Sequence, residues 1–223
     1  MSTAILIPAR MKSTRFPNKP LVDLGGKPMI KRVFEESVKF GYDTYVLTDT
    51  ADVASVIPKD NVIMTSEDCT DGTDRCMSVI GNELNYDKYI NVQGDNPNPS
   101  LSVIQNIENA LDNHYVFQAY KKMTPDGQAD PTVCKMIMTN NTVHWFCRSA
   151  LTYGEFALGF HGYTEQAAHI WKHMKRYPEE KSESIEALRW IQNGYRLMGV
   201  ECEFDGLEIN VPEDVDKWNK KYN

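Results

Sequence analysis

Residues 8–21 read Pro8-Ala9-Arg10-Met11-Lys12-Ser13-Thr14-Arg15-Phe16-Pro17-Asn18-Lys19-Pro20-Leu21. Arg10, Lys12, Arg15 and Lys19, with the hydroxyls of Ser13 and Thr14 and the intervening backbone amides, could wrap a compact polyanion such as a triphosphate. Neither GxxxxGK[ST] nor GxGxxG occurs, so side-chain cations would do here what glycine-rich loops do with backbone amides. A basic loop that is merely solvated has the same composition. A second cluster is Asn91-Val92-Gln93-Gly94-Asp95. An aspartate just past a strand is a natural magnesium ligand, because Mg2+ takes one or two carboxylates alongside phosphate oxygens and water. An aspartate in that place equally caps a turn, so this cluster alone decides nothing.

Both clusters need a frame that brings strand ends together, and the hydrophobic pattern supplies one. Residues 3–8 are an apolar run that ends at Pro8, which reads as a buried first strand. Apolar residues at helical spacing follow over 29–40, with Gly41 where a C-cap belongs. Strands over 44–48, 61–65 and 88–93 alternate with helices over 51–57, 72–84 and 101–111. That alternation implies βαβ units, a mostly parallel central sheet and helices on both faces. Ligands of such sheets bind at the carboxyl ends of the strands. Residues 8–19, 65–75 and 93–97 then share one rim. The middle changes character: 115–122, 132–138 and 143–148 read as strands of a small additional β region. Helices over 164–175 and 183–193, a strand over 195–203 and a last helix over 213–221 complete the chain.

With 223 residues the chain can bury a core without disulfides or a structural metal. It contains no apolar run long enough to span a membrane and no visible secretory signal at its start, so a cytoplasmic protein without a membrane partner is expected. The five cysteines form no CxxC pair, which suits free thiols in a reducing compartment. Net charge is −7, yet residues 1–31 hold six Lys and Arg against the single Asp23. A basic segment on an acidic body suits a small polyanion and does not suit nucleic acid, which demands broad phosphate neutralisation. His169 and His173 stand one helical turn apart with no third ligand in view, and Trp171, Trp190 and Trp218 read as core anchors.

Taken together, Pro8-Ala9-Arg10, Ser13-Thr14-Arg15, Pro17, Lys19-Pro20-Leu21 and Gly25-Gly26-Lys27-Pro28 resemble the signature of the 3-deoxy-manno-octulosonate cytidylyltransferases, the CMP-Kdo synthetases. Thr48-Asp49, Gly72-Thr73-Asp74-Arg75, Gln93-Gly94-Asp95, Asp130-Pro131, Gly162-Tyr163 and Val211-Pro212-Glu213-Asp214 continue the match almost end to end. The resemblance implies a Rossmann-like nucleotidyltransferase, one domain over 1–223 with a sugar-binding and dimerisation subregion over about 115–190. It implies an enzyme that joins CTP to a sugar, releases pyrophosphate, uses Mg2+ and forms a homodimer. Arg10, Lys19 and Asp95 take the catalytic positions. Pro8, Ala9, Arg10, Ser13, Arg15, Lys19, Asp71, Gly72, Thr73, Arg75 and Gln93 take the nucleotide, with Asp95 and Asn210 on the metal. Gln93, Asn96, His161, Tyr163 and Glu186 fall at the sugar.

This chain also departs from the family pattern. Asn210 is neutral where the family has a carboxylate. Cys69 and Asp71 change the base-proximal loop. Asn96, His161, Thr164 and Ala187 change the sugar end, and the segment between Arg148 and Gly162 is short. The acceptor is therefore left open between 3-deoxy-manno-octulosonate and a smaller sugar such as a pentose or pentose phosphate. Two further readings stand beside this one: a nucleotidyltransferase using another NTP and a sugar phosphate, and a nucleotide-binding pseudoenzyme.

Overall fold

The computed structural model describes residues 1–11, 16–131 and 133–222. These form two compact units, Met1–Leu101 with Asp205–Asn223, and Ser102–Phe204.

The first unit is built around β1 (Thr3–Ala9), all seven residues of which are buried. Burying an aliphatic side chain is worth about 1.5–3 kcal/mol, so a continuous apolar strand takes the centre of the layer. A short 3-10 turn (Lys19–Leu21) and a two-residue hairpin, β2 (Asp23–Leu24) and β3 (Lys27–Pro28), lead into α1 (Met29–Val38). The apolar stripe of α1 buries Met29, Ile30, Val33 and Phe34. Gly41, at φ +82, ends the turn after it in the left-handed region that glycine tolerates. β4 (Asp43–Thr48), α2 (Ala51–Ala54), β5 (Val62–Met64), α3 (Gly72–Val79) and β6 (Lys88–Val92) follow. β1 pairs in parallel with β4 and with β6, and β4 in parallel with β5. Parallel pairing sends the carboxyl ends of all four strands to one edge, where residues 10, 49, 65 and 93 emerge.

The second unit opens with α4 (Leu101–Ala110) and continues through β7 (Val116–Lys121), α5 (Pro125–Ala129), β8 (Lys135–Thr139), β9 (Thr142–Cys147) and β10 (Glu155–Thr164). It closes with α6 (Glu165–Trp171), α7 (Pro178–Glu183), α8 (Leu188–Gln192) and β11 (Met198–Glu201). Its pairings are mainly antiparallel: β10 with β7 and β8, and β9 with β8 and β11, while β11 lies parallel to β7. The mostly parallel arrangement expected from the sequence therefore describes the first unit. The antiparallel region is a five-stranded layer larger than the small addition expected, because β10 supplies ten residues that carried no strand expectation. The helix expected over 183–193 is divided, with Ser184 at φ 55 ending α7 before α8 begins. Trp190 is 1% exposed, and Arg189 stacks over Trp171 at 4.0 Å while donating to the buried carboxylate of Glu180.

The chain then returns to the first unit as α9 (Pro212–Tyr222). Trp218 packs with Leu24, Met29 and Ile209, bordered by Phe16, Val22, Leu207, Val215 and Tyr222. The Arg32 guanidinium lies 4.7 Å over the Trp218 ring, and the indole N–H donates to Asn98 Oδ1. No helix among the described residues is long and apolar enough to cross a membrane.

Candidate active site

The site grows from the edge where β1, β4, β5 and β6 end. Pro8 is next to last in β1, Gly72 opens α3 and Gln93 follows β6, and the three converge. A methyl group on Gly72 would stand 3.3 Å from Pro8 Cγ and 3.4 Å from Gln93 Oε1. Gly94 is tighter: a methyl group there would come within 2.7 Å of the Pro8 carbonyl oxygen, so only glycine fits. This close approach seats the loop after β6 against the end of β1. Asp95 follows, and its carboxylate accepts from Lys19 Nζ at 2.7 Å; the two side chains are 25% and 13% exposed. Lys19 reaches Asp95 from the short 3-10 turn, whose preceding residue Asn18 sits at φ 56.

Arg10, directly after β1, is exposed and donates to the Thr70 carbonyl at 2.8 Å, tying the basic loop to the turn before α3. Asp71 is the N-cap of α3: its Oδ1 accepts from the Asp74 backbone N–H at 2.8 Å, and its Oδ2 accepts from the Thr70 hydroxyl. A side-chain acceptor there satisfies a helix donor that would otherwise go unpaired. Thr73 is buried on the first turn of that helix, and Ala9 is buried at the end of β1. Arg75 is 1% exposed and pairs with Asp49 Oδ2 at 2.9 Å and with the Thr65 hydroxyl, so its charge is matched inside the protein. Asp49 carried no role in the sequence reading; the signal available was its place after β4, within Thr48-Asp49. Ser13 and Arg15 lie outside the described residues. Cys69, in the loop before α3, has its thiol pKa raised chiefly by burial, which leaves it a poor nucleophile at neutral pH.

Asn210 is brought to this edge from the far end of the chain. The backbone N–H of Ile209 donates to the Asp95 carbonyl at 2.9 Å. The Asp214 carboxylate accepts from the backbone N–H groups of Asn210 and Val211 at 2.9 and 3.1 Å, which holds the segment at the start of α9. A carboxylate and an amide oxygen are hard donors that suit Mg2+. Among the described residues no group of three or more His, Cys, Asp or Glu could hold a metal ion. The residues therefore fit a magnesium ion that takes the rest of its ligands from phosphate and water. Asn96 is fully buried, and among the described residues neither polar atom of its side chain has a hydrogen-bond partner.

In the second unit, His161 and Tyr163 lie on one face of β10 with rings nearly parallel, 9° apart, and centroids separated by 6.1 Å. β10 is irregular against β7 between Ala157 and His161. The buried Gln118 amide answers that irregularity by donating to the Leu158 and Phe160 carbonyls at 2.6 and 3.3 Å. Desolvation lowers the His161 pKa to about 4, so its imidazole is neutral at physiological pH. Glu186 sits on a different element, the turn before α8. His169 is exposed on α6, 3.7 Å from Glu165.

Residues 4–194 match the family model described as Cytidylyltransferase. A 3-deoxy-manno-octulosonate cytidylyltransferase of Parabacteroides distasonis is 32% identical over 95% of this chain and 94% of its own length. An 8-amino-3,8-dideoxy-manno-octulosonate cytidylyltransferase of Shewanella baltica is 31% identical over 99% and 98%. The solved structure of CMP:2-keto-3-deoxy-manno-octonic acid synthetase complexed with CTP superposes with a TM-score of 0.89, at 26% identity over 99% of this chain and 98% of that one. With this nucleotidyltransferase fold and a strand-end rim carrying Arg10, Lys19 and Asp95, the chain belongs to the cytidylyltransferase family.

Proposed function

We propose that this protein is a sugar cytidylyltransferase: it joins CTP to a 3-deoxyoctulosonate-type sugar and releases pyrophosphate, giving a CMP-sugar. The observation that carries the reading is the Lys19–Asp95 pair at the edge where β1 and β6 end, with Arg10 following β1 and donating to the Thr70 carbonyl before α3. Such an edge offers cations for a triphosphate and a carboxylate for its metal at one place. The relatives named for octulosonate substrates match over nearly their whole length, which supports that acceptor class.

In this reading the acceptor hydroxyl oxygen attacks the α-phosphorus. The bond from that phosphorus to the β-bridging oxygen breaks, pyrophosphate leaves with the electron pair, and the hydroxyl proton is released. Such a reaction asks the protein for positioning and charge neutralisation. Arg10 and Lys19 neutralise the triphosphate and the leaving pyrophosphate. Pro8, Ala9, Gly72, Thr73 and Gln93 line the nucleotide; Ser13 and Arg15, expected there from the sequence, lie outside the described residues. Asp71 and Arg75 act by shaping the α3 loop through their internal bonds. Asp95 and Asn210 would hold Mg2+, which when bound supplies charge neutralisation at the phosphates. The neutral His161 with Tyr163, together with Asn96 and Glu186, serves the acceptor. As part of the same proposal the enzyme works in the cytoplasm as a homodimer; its five free cysteines suit that reducing compartment.

The test is a mass-spectrometric product screen with each of the four NTPs, Mg2+, and octulosonate, hexose and pentose acceptors. A CMP-octulosonate formed from CTP is the expected product. Conversion confined to pentoses or pentose phosphates, or a preference for another NTP, would overturn the assignment, and nucleotide binding without turnover of any acceptor would indicate a pseudoenzyme.

A further inference from the structure

Resting on the reading of the β10 face as the acceptor subsite, we propose that Gln118 is a positioning residue for the acceptor. Its side-chain amide holds the bulge of β10 and so sets where His161 presents its ring.

Pairing of β10 with β7 runs through Phe156 opposite Lys121 and Ala157 opposite Tyr120, then resumes with His161 opposite Gln118 and Tyr163 opposite Val116. Leu158, Gly159 and Phe160 stand against Ala119 alone, two residues more than a regular ladder takes. Extra residues leave the ladder, and their carbonyls need other donors. Gln118 is 2% exposed, and its Nε2 donates to the carbonyls of Leu158 at 2.6 Å and Phe160 at 3.3 Å, the first and last of the three. The Phe160 carbonyl belongs to the peptide group that carries the His161 nitrogen. One buried amide therefore spans the bulge, fixes the peptide plane at its exit and lies opposite His161 on the same face.

The other face has no room for the ring. Gly162 is backed by Ile107 of α4 and by Leu111: a Cβ there would collide with Ile107 and meet Leu111 at 3.1 Å. A slip of β10 by one residue would turn His161 into that packing. Tyr163 is 1% exposed, whereas His161, whose ring lies nearly parallel to that of Tyr163, is only half-buried. Of the two, His161 is the one placed to meet a ligand, and its direction follows from the bulge. Misplacing a positioning group by about 1 Å can cost about a hundredfold in rate.

The experiment measures pyrophosphate release from CTP, Mg2+ and 3-deoxy-manno-octulosonate by the wild type, Gln118→Met, His161→Gln and the double variant, each checked for native circular dichroism. In parallel, NMR follows histidine isotope-labelled at Cε1, the His161 signal being the one lost in His161→Gln. Gln118→Met keeps the length of the side chain and removes its donors. It should raise the acceptor KM by about tenfold or more while the CTP KM stays within about twofold. Added to His161→Gln it should change little further, because both substitutions act through one ring. The His161 signal should move in Gln118→Met while those of His144, His169 and His173 hold. Equal rises in both KM values, fully additive variants or an unmoved His161 signal would each overturn the proposal. An acceptor KM unmoved by His161→Gln would remove His161 from the acceptor subsite, and the proposal with it. If Gln118→Met does not fold, the wild type decides: octulosonate should shift the His161 signal and the Gln118 side-chain amide signal together, and a shift of His161 alone would overturn the proposal. Absence of turnover by the wild type with any acceptor would instead overturn the proposed function, and the response of the His161 signal to Gln118→Met would still decide whether Gln118 sets that ring.

Discussion

Arg75 and Asp49 show how one residue's role depends on what its neighbours have already claimed. The pair is nearly sealed from water, and Arg75 also meets the Thr65 hydroxyl. Removing one partner of a buried pair strands the other charge and costs about 3–5 kcal/mol. Asp49→Ala should therefore lower unfolding free energy by about that amount in urea titrations, and it should distort the α3 loop enough to weaken nucleotide binding. His161 makes the opposite case, a titratable group kept neutral. Its folded pKa, about 4, lies below the ordinary value of 6.5, so the unfolded chain binds the proton more readily between those values. The stability it contributes is complete above about pH 6.5 and is lost as pH falls towards 4. Replacing His161 by Gln should flatten this part of the stability–pH curve; an unchanged curve would show that the imidazole is not desolvated.

At the scale of elements, the site depends on how closely loops can approach. Gly94 lets the turn after β6 lie against the Pro8 carbonyl, where any Cβ would intrude to 2.7 Å. Gly94→Ala must push the two strand ends apart. The cost should be about 1–3 kcal/mol in stability, and the fall in turnover should be disproportionate, because Asp95 is the next residue. Comparing denaturant midpoints with the rate of pyrophosphate release separates the two effects. The C-terminal helix works from the other side. Trp218 anchors α9 in the core that contains Ile209 and Leu24, and through Ile209 it holds Asn210 beside Asp95. A core contact more than a hundred residues away in sequence thus sets the position of a candidate metal ligand.

For the molecule as a whole, charge is distributed so that an acidic protein presents a basic segment. Net charge is −7, while residues 1–31 carry five more positive than negative groups. Attraction between that segment and a triphosphate is screened over about 8–10 Å at physiological salt. Raising ionic strength from 0.05 to 0.5 M, both experimental settings of roughly that order, should weaken CTP binding by about tenfold or more while leaving unfolding midpoints nearly unchanged. Calorimetry at fixed pH measures the first and thermal unfolding the second. Affinity insensitive to salt would place the triphosphate away from the basic segment.

The amino-acid sequence by itself was enough to identify the reaction class. The motif around Arg10 and Lys19, the Gln93-Gly94-Asp95 turn and the alternation of apolar strands with amphipathic helices are local patterns, and each is written in contiguous residues. Strand periodicity also sufficed to put the ends of β1, β4, β5 and β6 on one rim, because parallel strands joined by helices end on the same edge. Tertiary structure decided what no local pattern encodes. Arg75 is matched by Asp49, Lys19 by Asp95, and Asn210 is held at Asp95 through a backbone hydrogen bond across more than a hundred residues. The ten-residue strand β10 was likewise illegible, since Gly159 and Gly162 interrupt its alternation. Gly162 is required there because α4 packs so closely that a Cβ would meet Ile107 at 2.3 Å. Long-range pairing and close packing depend on which groups the folded chain brings together, and a one-dimensional pattern records only those that are neighbours along it.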